Sequence, residues 1–458
     1  MAKATVQYVC SSCGAKAPQM LGRCPVCGEW GTYEEEILTP TAKRSYSASG
    51  LSAAGGQPKR LQDVEATEEM RLDMHNGELN RVLGGGLVPG SLVLLGGEPG
   101  IGKSTLALQV LMQQGERKTF YASGEESVRQ LKLRAERLAG DAENLYISSE
   151  TSLERILEQV KEIEPEIVVI DSIQTIGTEA IEASIGSLSQ VRECAARILE
   201  FAKTRNIPFF IIGHINKEGS LAGPKVLEHI VDTVLQFEGD QQYMYRILRA
   251  QKNRFGSTSE LGIYEMQQNG LREVSNPSEL LLSTAREGLS GIAIAAAVEG
   301  ARPFLIEVQA LVSSAAYGTP QRSSTGFDGR RLNMLLAVLE KRVGFKLLQK
   351  DVFLNIAGGL RVQDPAIDLA VLAAVLSSNM DIALDAGTCL CGEVGLAGEI
   401  RPVNRIEQRI QEAQKLGFRR ILIPAEQMER LNRTHKSGIE VVPVKKVTDA
   451  FRLLIKKD

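Results

Sequence analysis

The sequence has no hydrophobic run long enough to cross a membrane. Its longest uninterrupted apolar stretch is Leu369 to Leu376, far below the roughly 18 residues that a spanning helix needs. The start of the chain also lacks the apolar core of a secretory signal. Hydrophobic residues make up 43% and charged residues 24% of the 458 residues, which is typical of a soluble protein with two or three domains. We therefore expect a cytoplasmic protein with no membrane partner.

Cysteine and tryptophan are rare as well, and the net charge is small. The chain has 7 cysteines and 1 tryptophan, and the cysteines are too few and too unevenly placed for a disulfide scaffold. The formal net charge of -3 argues against a protein that is strongly basic throughout. Residues from 275 onward nevertheless hold a small excess of Lys and Arg over Asp and Glu, and the rest of the chain holds the opposite excess. A basic surface can lie within such a total.

Changes in composition divide the chain into four parts. Residues 1–33 are rich in Cys and Gly, and residues 34–60 are mostly small or polar, as expected of a flexible linker. Residues 61–272 and 273–458 each alternate apolar runs with helical patterns, which predicts two α/β domains, the first with a parallel sheet covered on both faces. The predicted strands are 92–95, 119–122, 166–170, 207–212, 243–250, 292–298, 304–308, 352–356 and 420–424, and the predicted helices are 103–114, 125–139, 186–205, 328–344, 366–377 and 447–457.

Four of the cysteines form two closely spaced pairs near the start. The pairs are Cys10 with Cys13 and Cys24 with Cys27. Each spacing allows two thiolates to converge on one ion, and four thiolates suit tetrahedral Zn²⁺ in a closed site that has no open position for catalysis. Two redox dithiols are the alternative reading, and an iron centre fits the same ligands. We expect one structural zinc in a module that contacts a partner.

A complete phosphate-binding motif follows the first strand of the central domain. It reads Gly97, Glu98, Pro99, Gly100, Ile101, Gly102, Lys103 and Ser104. The backbone N–H groups of such a loop surround phosphate, the lysine reaches the outer phosphates, and the serine hydroxyl binds Mg²⁺. The sequence therefore predicts an ATP site.

Three carboxylates follow predicted strands beside that loop. Asp171 directly follows one strand and is placed to orient Mg²⁺ through water. Glu125 and Glu126 follow another, and either is a candidate base for the attacking water. Acidic residues also favour helix N-termini for electrostatic reasons alone, so the choice between the two glutamates stays open.

The central domain resembles the RecA-type ATPase core. The resemblance lies in the phosphate-binding loop, in Gly124–Ser127, in Asp171–Thr175 and in Gly213–Gly219. The run Lys252-Asn253-Arg254-Phe255-Gly256 is similar to the signature of the bacterial RadA (Sms) family of DNA-repair proteins, and the resemblance covers essentially the whole chain. It implies a ring-forming, hexameric, DNA-stimulated ATPase that binds single-stranded and branched DNA. In that family the activity promotes branch migration of strands joined by the RecA recombinase.

The same resemblance implies roles for individual residues. Glu125 takes the place of the catalytic glutamate and His214 that of the γ-phosphate sensor, while 175–186 and 216–224 take the places of two DNA-binding loops. Lys217 and Lys225 lie in or beside the second loop, where they suit sequence-independent phosphate contact.

Lys252 and Arg254 are two residues apart after an alternating apolar strand. On a strand they would face the same side, as cations offered to the ATP of a neighbouring subunit or to DNA would. A solvated edge strand is the alternative that composition alone favours.

Residues from about 275 resemble the proteolytic domain of Lon proteases, most clearly over 364–370 and 392–403. A Lon-type protease uses a serine nucleophile and a lysine base. The corresponding residues here are Ala366 and Glu407, neither of which can perform that chemistry. We therefore expect an inactive domain with a role in assembly and DNA contact. The candidate basic residues are Arg302, Arg322, Arg330, Arg331, Lys341, Arg342, Lys346, Arg401, Arg405 and Arg409, with Arg330 and Arg331 as the predicted DNA contacts and solvated helix faces as the alternative.

The sequence thus predicts an α/β protein with a RecA-like ATPase core, an N-terminal four-cysteine zinc ribbon and a C-terminal Lon-protease-like domain. Three functions compete: a DNA-dependent ATPase for recombinational repair, an ATP-dependent Lon-type protease, and a regulatory ATPase with protein partners only. Ala366 and Glu407 count directly against the protease.

Overall fold

The computed structural model divides into two units, Met1–Val274 and Ser275–Asp458. No helix among the described residues is long and apolar enough to cross a membrane. The structure describes residues 5–10, 15–26, 28–38, 60, 70–138, 142–213, 224–239, 245–283, 288–315, 320–347, 349–359, 361–431 and 438–455.

The N-terminal segment forms a small antiparallel sheet. Its strands are β1 (Thr5–Cys10), β2 (Lys16–Ala17) and β3 (Tyr33–Leu38), in the order β2-β1-β3. Cys10 ends β1 opposite Tyr33, and both side chains are buried together with Ala17 and Cys24. So small a core buries little apolar surface, as expected of a module that depends on a metal for its stability.

The rest of the first unit is built on one large sheet. Its strands are β4 (Leu92–Gly97), β5 (Thr119–Ser123), β6 (Leu145–Ser149), β7 (Ile167–Asp171), β8 (Phe209–Ile212), β9 (Thr233–Glu238), β10 (Tyr245–Asn253), β11 (Leu261–Gln267) and β12 (Gly270–Glu273). Its helices are α1 (Gly77–Leu83), α2 (Lys103–Met112), α3 (Val128–Arg137), α4 (Leu153–Ile163), α5 (Leu188–Arg205) and α6 (Pro224–Ile230).

Within the described residues the strand order of this sheet is β12-β11-β10-β9-β4-β8-β7-β5-β6. In this order, every neighbouring pair of strands from β9 to β6 is parallel. Strands β10 to β12 add an antiparallel edge next to β9. Along β4 the side chains alternate between two apolar layers: Val93 packs with Leu106 of α2, and Leu94 packs with Ile198 of α5. Because alternate residues of a strand face opposite sides, β4 contributes to both layers, and the predicted parallel sheet with two covered faces is confirmed.

Some elements of this unit differ from the predictions. The helix expected over 125–139 begins at Val128, because the Ser127 hydroxyl accepts a hydrogen bond from the Gln130 N–H and closes a capping box. The strand expected over 243–250 continues to Asn253. β6 and α4 were not predicted, and the side chains of β6 are half-buried or exposed, so its sequence lacks the apolar run of a central strand.

The second unit contains a second mixed sheet. Its strands are β13 (Ile292–Glu299), β14 (Arg302–Ser314), β15 (Arg322–Thr325), β16 (Lys350–Ile356), β17 (Thr388–Leu390), β20 (Arg420–Pro424) and β21 (Glu440–Val444), and a separate hairpin pairs β18 (Glu393–Val394) with β19 (Ile400–Arg401). Its helices are α7 (Pro277–Leu281), α8 (Gly329–Val338), α9 (Asp368–Met380), α10 (Ile406–Lys415), α11 (Met428–Leu431) and α12 (Val447–Leu454).

The strand order of this second sheet in the described residues is β15-β16-β14-β13-β17-β20-β21. The apolar helix α9 is buried along nearly its whole length and packs on β13 and β14. The helix expected over 328–344 is α8 followed by a π-helical turn through Val343. This unit therefore has its own core.

Candidate nucleotide site and nucleic-acid contacts

The predicted phosphate-binding loop joins the end of β4 to the start of α2. Gly97, Gly100 and Gly102 have φ values of 154°, 77° and 116°, which residues with a Cβ rarely adopt. A Cβ on Gly97 would lie 2.9 Å from Cβ of Phe237, so a side chain has no room there. The loop therefore keeps its backbone exposed at a helix N-terminus, as phosphate binding requires.

Lys103 is the first residue of α2, directly after this loop, and only 4% of its surface is exposed. Its Nζ donates to the carbonyl oxygens of Gly97 at 2.7 Å and Glu98 at 2.9 Å. Burial lowers the pKa of Lys103 to about 8, although the charges of Asp171, Glu125 and Glu98 favour the ammonium. A phosphate group in the loop would supply the stronger anionic partner that these neutral carbonyls do not.

Asp171 is the last residue of β7, and a tyrosine donates a hydrogen bond to its carboxylate. Its Oδ2 accepts a hydrogen bond from the Tyr121 hydroxyl at 2.6 Å, and burial and the charge of Asp171 raise the pKa of Tyr121, which stays a donor. Among the described residues the buried Oδ1 of Asp171 has no hydrogen-bond partner. A buried carboxylate oxygen of this kind fits a water ligand of Mg²⁺ next to Ser104, so the residues present suit a Mg²⁺-nucleotide.

The two candidate bases have different partners. The Ser123 hydroxyl accepts hydrogen bonds from the backbone N–H groups of Glu125 at 3.2 Å and Glu126 at 2.9 Å. Glu125 Oε1 accepts from the Ser172 hydroxyl at 2.6 Å. Glu126 forms an ion pair with Arg134 of α3. This arrangement favours Glu125 as the base because a guanidinium already neutralises Glu126.

Part of the predicted site lies outside the described residues. This applies to His214 and Lys217, to most of the second predicted DNA loop, and to the side chain of Lys225. The first predicted DNA loop is described from Thr175 to Gly186 and contains no Lys or Arg. Any phosphate contact in that segment would therefore come from backbone groups or hydroxyls and not from cations.

That first loop is held by one buried side chain of α5. Gln190 accepts from the Thr178 N–H at 2.9 Å, and its amide donates to the carbonyl oxygens of Thr178, Ile181 and Ala183 at 2.9 to 3.2 Å. Thr178 also donates its hydroxyl proton to Glu154 at 2.6 Å. The backbone of the loop is therefore ordered by the protein itself.

Lys252 and Arg254 are close to each other, but not as neighbours on one strand face. The register of β10 shifts between Ala250 and Lys252, and the strand ends at Asn253. The expectation that one strand presents both cations is therefore wrong, because Arg254 lies beyond the end of the strand. Lys252 Nζ donates to the carbonyl oxygens of Glu228 at 2.6 Å and Val231 at 2.7 Å.

Two of the four predicted zinc ligands are described. Cys10 and Cys24 are buried, and their sulfur atoms lie 3.1 Å from the Thr32 hydroxyl oxygen and 3.7 Å from the Tyr33 hydroxyl oxygen, respectively. Cys13 and Cys27 lie outside the described residues. Hydroxyl donors beside thiolate sulfur are the outer-shell contacts that a Zn²⁺ site uses, so the described half fits the metal.

The arginines of the predicted basic cluster differ in their exposure in the second unit. Arg330 is exposed, whereas Arg331 forms an ion pair with the fully buried Asp368. Arg409 is fully buried and pairs with Asp364 at 2.5 Å, and Arg302 is 7% exposed. Arg302 and Arg409 therefore cannot contribute to a basic surface, and that part of the prediction is wrong.

Ala366, predicted from the sequence to take the serine position of Lon proteases, is also buried. Ala366 lies in a short 3₁₀ turn, and its N–H donates to the Asp364 carboxylate at 3.1 Å. Glu407 lies in the first turn of α10. The Asp364 carboxylate beside Ala366 is thus already paired with Arg409.

Sequence reasoning missed the residues that position the site. Tyr121, Ser172, Arg134 and Gln190 hold the predicted carboxylates and the first loop from other elements. Ser172 lies within the run that resembles the RecA-type core, but no local pattern distinguishes Tyr121, Arg134 and Gln190 from ordinary core or surface positions. Only the tertiary contacts reveal what these residues hold.

Comparison with known proteins gives three family matches and a set of full-length relatives. The chain matches an AAA domain over residues 57–220, a rubredoxin metal-binding domain over 8–35 and subunit ChlI of Mg-chelatase over 327–427. Among solved structures, a KaiC-like protein from Pyrococcus horikoshii is 20% identical with a TM-score of 0.38, covering 45% of this chain and 99% of that chain. The RadB recombinase is 22% identical with a TM-score of 0.36, covering 44% and 100%.

The curated relatives align from end to end. DNA repair protein RadA from Bacillus subtilis is 50% identical over 99% of both chains, and the protein of the same name from Listeria monocytogenes is 49% identical over 98% of both chains. The predicted architecture is confirmed: an ATPase core, an N-terminal metal-binding ribbon and a C-terminal α/β domain. Because an identity of about half extends over nearly the whole length of these relatives, the chain belongs to the RadA family of DNA-repair proteins.

Proposed function

We propose that this chain is a DNA-dependent ATPase that processes recombination intermediates. It binds single-stranded and branched DNA and promotes branch migration of strand exchange begun by RecA. The observation that carries the proposal is the convergence of Lys103, Asp171 and Glu125 at the edge of the large sheet, beside a complete phosphate-binding loop. Opposite charges brought together at the end of a buried sheet are costly to maintain and are typical of a nucleotide site.

Each residue of the site has one task in ATP hydrolysis. Lys103 would bind the outer phosphates, and Ser104 and Asp171 would hold Mg²⁺, which would supply positive charge to neutralise the phosphates. The Ser172 hydroxyl orients Glu125, whose carboxylate accepts a proton from the attacking water. His214 is proposed as the γ-phosphate sensor.

The cations outside the pocket are assigned to neighbours of the chain. In a hexameric ring, Lys252 and Arg254 act on the ATP of an adjacent subunit or on DNA, while Lys217 and Lys225 contact DNA phosphate. The zinc ribbon, with Cys10, Cys13, Cys24 and Cys27 as ligands, contacts a partner protein such as RecA.

The second unit has no peptidase role in this proposal. A buried methyl group stands where Lon proteases have their nucleophile, and Glu407 is an acceptor when ionised. The tasks of the second unit are assembly and DNA contact. The exposed Arg330 is a stronger candidate for the DNA contact than Arg331.

ATP turnover with and without single-stranded DNA tests the proposal. We expect stimulation by the DNA, loss of turnover in Lys103→Ala, and a fall of about 10²- to 10⁴-fold in kcat for Glu125→Gln because general-base catalysis is removed. Glu126→Gln is the matched control and should retain most turnover. Turnover without any response to DNA would favour the regulatory ATPase, and ATP-dependent degradation of an unfolded protein would favour the protease.

A further inference from the structure

Asp232 is a buried carboxylate that the sequence motifs do not include. It lies between α6 and β9 and is 1% exposed. Its N–H donates to the carbonyl oxygen of Leu92 at 3.0 Å, and its Oδ2 accepts from the Leu92 N–H at 3.2 Å. Leu92 is the first residue of β4, the strand that ends in the phosphate-binding loop. Asp232 is therefore fixed to that strand by two hydrogen bonds.

The other oxygen of this carboxylate faces two cations. Asp232 Oδ1 lies 3.2 Å from a terminal nitrogen of Arg254 and 3.6 Å from Nζ of Lys203, whose side chains are each 50% exposed. The carbonyl oxygen of Asp232 also accepts from the N–H of Arg254 at 3.2 Å. One residue thus holds both the backbone and the guanidinium of Arg254.

Lys252, the other cation of the run Lys252–Gly256, is fixed by the same short segment. Lys252 Nζ donates to the carbonyl oxygens of Glu228 and Val231, and Val231 directly precedes Asp232. Burial and the nearby charge of Arg254 lower the pKa of Lys252, while Asp232 favours its ammonium. Asp232 therefore supplies countercharge where two cations of the motif approach each other.

We propose that Asp232 is a positioning residue that holds Arg254 at a fixed place relative to β4. The inference rests on the proposed role of Arg254 in the ATPase cycle. A long side chain loses rotamer freedom when it acts, and a carboxylate that fixes it beforehand lowers that cost. Asp232 is hydrogen-bonded to Leu92 of β4, the strand that leads into the phosphate-binding loop of the same subunit. It therefore fixes the position of Arg254 relative to that strand.

The substitution Asp232→Asn tests this role with little change of shape. An amide oxygen still accepts from the Leu92 N–H, but the charge facing Arg254 is lost. We expect DNA-stimulated kcat to fall about tenfold with KM for ATP nearly unchanged, because an interaction made only in the transition state is weakened. Lys203→Ala removes the other cation near Asp232 and is the matched control, with kcat unchanged.

A double-mutant cycle separates positioning from a general effect on the fold. If Asp232 acts through Arg254, Asp232→Asn should lower kcat no further in an Arg254→Ala background. Additive losses would overturn the proposal, because a structural defect acts whether or not Arg254 is present. If Asp232→Asn does not fold, Asp232→Glu, which keeps the charge but displaces it, enters the same cycle with the same expectation.

The cycle also distinguishes this proposal from the one on which it rests. A normal kcat in Arg254→Ala would overturn the role of Arg254 in turnover, and positioning for turnover with it. A slow Arg254→Ala together with a normal, folded Asp232→Asn would overturn only the positioning role and leave the ATPase proposal standing.

Discussion

At the scale of single residues, adjacent side chains of the same type can have different roles because they have different interaction partners. Glu125 accepts from the Ser172 hydroxyl and contributes to the field at Lys103, whereas Glu126 is paired with Arg134. A charge that already has a close counter-ion is a weak base and a weak ligand. The same contrast separates Arg330 from Arg331.

The lowered pKa of Lys103 predicts a pH dependence of ATP binding. In the nucleotide-free site this pKa is about 8 against an ordinary value of 10.5, and bound phosphate favours the ammonium. Above pH 8 binding must therefore take up a proton, and affinity should fall by up to about tenfold per pH unit.

Titration with a fluorescent nucleotide at rising pH measures this fall, and calorimetry in two buffers measures the proton uptake. Lys103→Arg is the control, because a guanidinium does not titrate in this range. Affinity that stays constant well above pH 8 would show that Lys103 is already fully charged in the free site.

The adjacent arginines of the second unit predict opposite outcomes. Arg331→Ala leaves the buried Asp368 without its cation and should lower the free energy of unfolding by about 3 kcal/mol. Arg330→Ala should change stability by less than about 0.5 kcal/mol, but reduce the slope of log affinity for DNA against log salt concentration by about one.

Denaturant titrations and DNA binding at several salt concentrations measure both quantities. An Arg330→Ala variant with the full salt slope would remove Arg330 from the DNA contact.

At the scale of elements, β7 and the loop after it show how a helix can order a segment that has no regular structure. The loop is fixed by α5 through Gln190 and by α4 through Glu154. Its backbone therefore does not depend on DNA for its order.

Gln190→Ala should loosen this loop. It leaves several buried backbone groups without a partner, which should lower the free energy of unfolding by about 1–3 kcal/mol. We also expect faster proteolysis between Thr178 and Gly186 and weaker stimulation by DNA, with basal ATP turnover retained. Glu200→Ala, on the exposed face of α5, is the control. Unchanged stimulation by DNA in a loosened loop would exclude the loop from DNA contact.

At the scale of the whole molecule, the chain consists of two units with separate apolar cores. Every described residue of the nucleotide site lies in the first unit, Met1–Val274, and Arg330 lies in the second. The proposed DNA contacts are therefore divided between the units, because Lys217 and Lys225 lie in the first unit together with the nucleotide site.

A chain that ends at Val274 tests this division. We expect it to bind ATP with unchanged affinity, because it keeps every described residue of the nucleotide site, but to form rings less well and to bind DNA with a smaller salt slope. Sedimentation and salt-dependent binding provide the measurements, and full-length Arg330→Ala separates loss of one cation from loss of the unit. A truncated chain that still assembles and keeps the full slope would contradict the proposed role of the second unit.

Features made of consecutive residues could be predicted from the sequence. The phosphate-binding loop, the cysteine pairs and the apolar strands depend on local spacing and periodicity, so β4, β7 and α2 were found within a few residues of their true ends. Half-buried elements such as β6 were missed because their pattern resembles that of a loop. The comparison of Ala366 and Glu407 with a catalytic dyad required only their positions in or just after segments that resemble the Lon-type domain.

The sequence by itself therefore determined the domain types and the family, and it predicted the nucleotide chemistry. Only the tertiary structure decided which charged residues have partners: Tyr121 holds Asp171 from 50 residues away, Arg331 pairs with Asp368 at a separation of 37, and Asp232 binds Leu92 at a separation of 140. The physical reason is that a side chain's pKa, exposure and freedom depend on neighbours in space, and folding brings those neighbours together from elements whose local patterns carry no record of each other.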